Sequence, residues 1–538
     1  MNLTSSDLVH KYEMLIRERR NWEPGWQEIA DHLIPRKNSI TVQQTPGQKK
    51  QSKRYVSTGM HAHEILAANL QGTLTSRAFR WFDLRLGDSD EDRVLGTIPE
   101  VRQWLQSCSK RLWVDFNSSN FQSQTHELYL DITAFGTGAI LHEELEGRER
   151  FNGFNFTTYP IEAYVFEENE RGIVDQFCGL LTYTGQQAID KFGEEEMPEK
   201  VLKAAQNQTS DRFNFLHWIV PRHMRDEKKK DAGNMPFASI YISLEGNKTV
   251  KEGGYQEFPV YVARWNKNSN ERYGRGPGDV ALPDLKVLDK ATELDLDAWA
   301  KYIDPPWFTE DDGVIGAVDL RPGKGTVVRD RNAMWFYEFR GNPNAGRVQL
   351  NELRQSIRQT FFADQLELPQ SDRMTAEEIR TRVELMQRVL GPTLGRIESE
   401  FLNPLIERSF RIMFDKGAFP EPPAEMEGVG PGTIEVHYSG PLARSERMSE
   451  ISALDRWVNS MAGLANVDPT VFDIVDTDEI ARRYGESLDV PEQAMRNPED
   501  LRRLRESRAQ ERQQQQQAEL GLNQSQIAQN MAKAQSLQ

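Results

Sequence analysis

Residues 277–303, PGDVALPDLKVLDKATELDLDAWAKYI, constrain the fold more than any other stretch of this sequence. They read as one helix about 40 Å long at 1.5 Å per residue. Pro277 suits the first turn, where its missing N–H has no intrahelical acceptor in any case. Asp304-Pro305-Pro306 ends the helix, because proline disfavours α geometry in the residue before it. A second helix follows at 346–366, with Leu350, Leu353, Ile357 and Phe361 at helical spacing. Residues 307–345 between them read as short strands and turns rich in Gly and Pro. Two long helices therefore bracket a small β-rich tip.

Pro369 closes the second helix, and the polar loop PQSDR follows. A third helix then starts cleanly. Thr375 and Glu378 form a capping box, with Met374 and Ile379 placed for a hydrophobic staple. It runs to a stop at Lys416-Gly417, with a kink expected at Gly391-Pro392.

The remainder divides by pattern. Residues 5–34 read as a helical pair broken at Pro24-Gly25, and 35–58 as a polar, basic loop. Residues 60–77, 98–116 and 121–135 look helical, and GTGAILHEEL turns into a strand at Gly136–Gly138. Aromatic and β-branched runs over 151–265 alternate with turns, which predicts a mostly antiparallel sheet with one short helix at GQQAIDKFG. TIEVHYSG (433–440) reads as a strand, 441–512 as charged helix, and 513–538 as a Gln/Ala-rich tail. The class is α+β, and 538 residues exceed what one core can serve.

Composition removes several functions. No apolar run approaches the roughly 20 residues needed to span a bilayer, and the N-terminus lacks a secretory pattern. Only Cys108 and Cys178 occur, which excludes a disulfide scaffold and fits a reducing cytosol. The net charge of −16 argues against a DNA reader with a basic footprint. RPGKGT (321–326) fails as a P-loop: Val318 stands where the upstream Gly is required and Gly325 follows Lys324. A hairpin turn is the better reading. The two histidines of HAHE (61–64) point to different helix faces and have no partner cluster, so an exposed helix start is preferred to a metal site. No nucleophile elbow is present. No enzyme activity, cofactor or metal is expected. Arg321, Lys324, Arg329 and Arg331 cluster in the tip, as a solvated surface or as a docking patch for an acidic partner.

The segment GYQEFPVYVARWNKNSNERYGRGPGDVALPDLKVLDKATELDLDAWAKYIDPP (254–306) closely resembles the head-to-tail connector, or portal, proteins of short-tailed bacteriophages (podoviruses). The likeness continues through LLTYTGQQAIDKFG (180–193), LHWIVPR (216–222), DRMTAEEIRTRVELMQRVLGPTLGRIESEFLNPLIER (372–408) and YSGPLARSERMSE (438–450), and covers about residues 5–510.

This resemblance implies a ring of about twelve subunits around a channel for double-stranded DNA. Residues 1–276 would form most of a wing, 277–303 and 346–366 a two-helix stem, and 304–345 the clip. Residues 367–374 would be a tunnel loop, 375–440 the kinked wing helix and a strand, and 441–512 the crown. Residues 513–538 would extend a helical barrel or stay disordered. The implied partners are the terminase large subunit, tail adaptor and tail proteins, the major capsid and scaffolding proteins, and no membrane. The implied location is the portal vertex of the virion, after assembly in the host bacterial cytoplasm. A tail adaptor or scaffolding protein is the alternative; a packaging ATPase lacks its P-loop.

An acidic wall would repel phosphates and let DNA slide. Asp284, Asp289, Glu293 and Asp297 are the candidate stem residues facing the lumen. Gln370, Ser371, Asp372 and Arg373 are the tunnel-loop candidates, with Arg373 free to touch phosphate or to pair with Asp372 or Glu377. Trp299, Trp307, Trp335 and Phe336 flank the clip and read as subunit-interface anchors rather than monomer core.

Overall fold

The computed structural model describes residues 4–42, 47–48, 54–87, 95–96, 98–145, 151–226, 229, 231–303, 307–309, 315, 327–330, 332, 334–336, 347–366, 390–426, 434–438, 451, 453–462, 464, 474, 476–487, 496 and 501–515. The chain forms two compact units: 1–79 with 112–418, and 80–111 with 419–538.

In the larger unit, α1 (Ser5–Arg19) opens with a capping box between Thr4 and Asp7. The break before α2 (Glu23–Leu33) falls at residues 20–22, not at Pro24-Gly25 as the sequence predicts. Pro24 sits instead in the first turn of α2, where proline is tolerated. Helix α3 (Thr58–Leu74) follows; α4 (Pro99–Ser118) begins in the smaller unit and enters the larger one at residue 112, and α5 (Phe121–Phe135) comes next. Gly136 then adopts φ 72° and turns the chain into the strand that starts at Thr137. The first strand of the chain, β1 (Phe82–Leu86), lies in the smaller unit.

Two antiparallel sheets form the β region. In the three-stranded sheet, β2 (Thr137–Glu144) runs between β3 (Phe154–Tyr159) and β9 (Val260–Arg264). The five-stranded sheet takes β4 (Tyr164–Glu168), β5 (Val174–Thr184), β6 (Arg212–Pro221), β7 (Phe237–Ser243) and β8 (Lys248–Tyr255) in that order. Its faces follow the period-2 alternation of β6. Leu216, Trp218 and Val220 pack on Leu8, Val9, Tyr12 and Leu15 of α1. Phe213 and Phe215 point to the other face, onto α6 (Gly185–Phe192) and α7 (Glu199–Gln206) through Ala188, Val201 and Ala204. The sequence predicts one helix in this region; the structure has two. The second escapes notice because its buried side, Val201, Ala204 and Ala205, is small. Cys108 and Cys178 are both buried free thiols, and burial pushes Cys108 up to about 12.

Residues 277–303 are one helix, α8, as predicted. The returning helix is shorter than predicted: α9 (Arg347–Thr360) ends in a turn at Phe361-Phe362, with Phe362 at φ 55°, before a single turn α10 (Ala363–Leu366). Helical residues 390–397 lead into a π-helical turn at Glu398–Leu402 and then α11 (Asn403–Asp415), which stops at Gly417 with φ 60° as expected.

The smaller unit pairs β1 antiparallel with β12 (Ile434–Tyr438), and Trp81 stacks on Tyr438 at 6.5 Å. Trp104 donates to the Pro420 carbonyl at 3.0 Å. Helical residues 453–462, α12 (Thr477–Ser487) and helical residues 501–515 are further elements among its described residues. The caps at Thr375 and Glu378 and the Pro369 boundary lie outside the described residues.

Candidate functional site

The base of α8 is set by glycines. In YGRGPGD, the backbone at 274–278 lies directly against the end of α5. A Cβ on Gly278 would overlap the Ala134 carbonyl, and one on Gly136 would strike the backbone of Arg275. Asp279 accepts from the Gly276 amide at 2.9 Å and closes the first turn.

From there α8 shows three distinct faces. Ala281, Leu285 and Leu288 are buried against α2, α3, α5 and α9. A second face carries Asp289, Glu293 and Asp297 at four-residue intervals. A third carries Val280, Val287 and Leu294 at seven-residue intervals, and these are 69%, 55% and 57% exposed. Exposed apolar side chains repeated every seven residues form a continuous ridge along a helix.

The four acidic candidates are not brought together. Asp284 stands on the opposite side of the buried face and accepts from Ser356 Oγ of α9 at 2.8 Å. Asp289 accepts from the Tyr55 backbone amide at 2.8 Å, and Glu293 accepts from the Tyr55 hydroxyl at 3.1 Å. Lys290 pairs with Glu293 at 2.6 Å, and Lys286 with Glu28 at 3.0 Å. Asp297 is exposed on the same ridge. The strap at Tyr55, which closes the basic segment 35–58, is a feature that sequence reading misses. Nothing local signals it, since its partners lie more than 230 residues away.

The helices α8 and α9 run as an antiparallel pair. Ser356 meets Asp284 near the base, and the Arg347 guanidinium lies 5.5 Å over the Trp299 ring near the tip. At the tip, β10 (Trp307–Thr309) pairs antiparallel with β11 (Met334–Phe336), and the Ile315 amide donates to the Val327 carbonyl at 2.9 Å. Phe308 stacks on the exposed Trp335 at 6.0 Å. Arg329 is exposed. Arg321, Lys324 and Arg331 lie outside the described residues, as do the side chains of Trp307 and Phe336.

The tunnel-loop candidates Gln370, Ser371, Asp372 and Arg373 also lie outside the described residues. Both flanks of that stretch are fixed. On one side Phe361 is fully buried, edge-on to His63 at 6.0 Å. On the other, Leu390, Leu394, Ile397 and Phe401 are buried. Glu400 in the π-turn accepts from Arg264 at 2.7 Å, and Arg264 also pairs with Glu168. Lys267 joins Glu168 at 2.6 Å. Arg264 is 2% exposed, and its carboxylate partners hold its charged form. Sequence reading misses this cluster too, because its members come from three separated segments.

His61 is exposed, but His63 is not the exposed helix residue that the sequence predicts. It is buried, with Nε2 3.0 Å from the Leu130 carbonyl, and burial pulls it down to about 4. No group of three or more His, Cys, Asp or Glu that could hold a metal occurs among the described residues.

The profile of the bacteriophage head to tail connecting protein family matches residues 5–495. The chain belongs to that family. It is similar to the portal protein of Salmonella phage epsilon15, at 26% identity over 98% of this chain and 95% of that one. It is similar to the probable portal protein of Bordetella phage BPP-1, at 28% over 96% and 93%. The portal protein of Escherichia phage T7 matches at 21% over 86% and 83%. The connector's two-helix pair and its β tip thus belong to a bacteriophage portal protein. Among its described residues no helix is long and apolar enough to cross a membrane.

Proposed function

We propose that this portal protein assembles head to tail into a closed ring of about twelve copies at one capsid vertex. Double-stranded DNA passes through its centre during packaging and ejection, without sequence specificity. In this reading α8 and α9 form the stem, residues 304–345 the clip, 367–374 the tunnel loop and 441–512 the crown. The tip, with Arg321, Lys324, Arg329 and Arg331, docks the terminase large subunit and afterwards the tail proteins. The protein catalyses no reaction.

The observation that carries the ring is the exposed ridge of Val280, Val287 and Leu294 beside the acidic ridge of Asp289, Glu293 and Asp297. A helix with an exposed apolar ridge beside an acidic one, half-covered by Tyr55 as far as Glu293 and open at Asp297, suits a wall, the apolar face covered by a neighbouring copy and the open acidic end turned to the channel. Asp297 is then the acidic group nearest the DNA, whereas Asp289 and Glu293 hold the Tyr55 strap and Asp284 serves the pairing of the two stem helices. An acidic lining keeps phosphate contacts few and transit smooth.

Native mass tests this directly. A species of about twelve times 61.9 kDa, with a central hole in negative stain, is expected. A monomer that stays monomeric with scaffolding and capsid proteins present refutes the ring.

A further inference from the structure

The crown end of this acidic chain carries a basic helix with no apolar surface to match. Helical residues 501–515, LRRLRESRAQERQQQ, hold five arginines and two glutamates in a protein whose net charge is −16. Among the described residues only the start of the helix is held. Leu501 and Leu504 are half-buried, and Arg505 reaches both oxygens of Asp478, at the start of α12, at 2.5 and 2.6 Å. From Arg505 onward every residue is exposed. The helix therefore projects for about ten residues, or about 15 Å, past its last anchor.

The face that begins as Leu501 and Arg505 continues outward as Arg508 and Arg512. At 100° per residue these positions share one stripe, while Glu506 and Glu511 fall on its two flanks. Arg508 and Arg512 stand four residues apart, a like-charge spacing that destabilises an isolated helix. A partner bearing regularly spaced negative charge removes that penalty. The stripe offers no apolar or aromatic anchor, which a protein partner would require at the centre of its contact.

We infer that Arg508 and Arg512 form a phosphate-contact site for duplex DNA, so that the crown touches DNA electrostatically where the stem does not. The inference takes duplex DNA as the available polyanion from the portal reading; the site itself rests on the charge and exposure of this helix.

The test uses the full-length assembled protein and a fluorescent 30-base-pair duplex of arbitrary sequence, titrated at several salt concentrations. In the Arg508→Gln/Arg512→Gln variant, the slope of log K against log salt is expected to fall by about 0.9 for each arginine removed, and by more if several subunits share one duplex. Arg508→Lys/Arg512→Lys, which keeps the charge, is expected to retain the slope. Native mass and circular dichroism of each variant report assembly and folding separately, so loss of the ring reading and loss of this site are distinguishable. An unchanged slope in the Gln variant overturns the inference. So does a labelled polyglutamate that binds the wild type as tightly as the duplex and loses binding in the same variant, since it would assign the stripe to an acidic protein.

Discussion

Leu294→Asp on the exposed ridge of α8 is expected to prevent ring closure while leaving the subunit folded. Leu294 is 57% exposed in the single chain, so a neighbouring copy seated on this ridge would cover up to that share of its surface. Burying a whole Leu or Val side chain is worth about 1.5–3 kcal/mol, so the covered share contributes about 1–2 kcal/mol. With Val280 and Val287 included, the ridge supplies roughly 3–5 kcal/mol per contact between neighbours. Leu294→Ala removes most of one share and should weaken each contact by about tenfold, since 1.4 kcal/mol is one decade. Leu294→Asp also places an unpaired carboxylate in the contact, at a further cost of several kcal/mol. Mass photometry across a dilution series gives the fraction of ring, and circular dichroism and urea unfolding check the fold. Exposed substitutions away from internal contacts change subunit stability by only about 0.5 kcal/mol. Rings that form at wild-type concentrations with Leu294→Asp would refute the assignment of this ridge to a neighbouring copy.

Four further outcomes are expected. His63, His142 and His217 are buried and held below their usual value, His63 at about 4 and His217 at about 3. The unfolded chain therefore binds more protons below about pH 6.5, and stability falls as pH drops from 6.5 toward those values, by about 1.4 kcal/mol per pH unit for each histidine. Asp131 and Glu162, pushed up by burial, act in the opposite sense as pH falls, so the histidine share is read as the difference in urea midpoints between the wild type and His63→Gln from pH 7.5 to 5.5, and parallel profiles would contradict the burial of His63. Arg264→Leu strips the charge partner from Glu400 and Glu168 and is expected to cost about 3–5 kcal/mol in urea unfolding; a loss under 1 kcal/mol would mean that the cluster is not structural. Replacing residues 370–373 with glycine should impair packaging or retention of DNA with rings intact, and normally filled heads would exclude a DNA-facing loop. Removing 513–538 should leave ring mass unchanged, and loss of rings on gel filtration would show that the tail is needed.

Helix α8 was legible in full because both of its ends are written in backbone chemistry: proline at the first turn, and Asp-Pro-Pro at the stop. The separation of Asp284 from Asp289, Glu293 and Asp297 went unread when the four were grouped, although five residues turn a helix by 500° and leave Asp284 and Asp289 about 140° apart. The burial of His63 was not legible, because it depends on Leu130 and Phe361, which come from elsewhere in the chain. For the same reason the ion cluster at Arg264 has no local trace: Glu168, Lys267 and Glu400 converge only once β9 and the π-turn are in place. Helix α7 was hidden by its surroundings, a weakly apolar segment set among strong strand signals.

The glycine turn at the foot of α8 has a mechanical consequence. Between Gly278 and Ala134, and between Gly136 and Arg275, no side chain intervenes. A layer of side chains yields under load by changing rotamers; peptide planes in direct contact have no such freedom. A push or twist applied along α8 therefore reaches α5 and β2 with little lost at the joint, and the foot of this helix acts as a rigid coupling rather than a cushion.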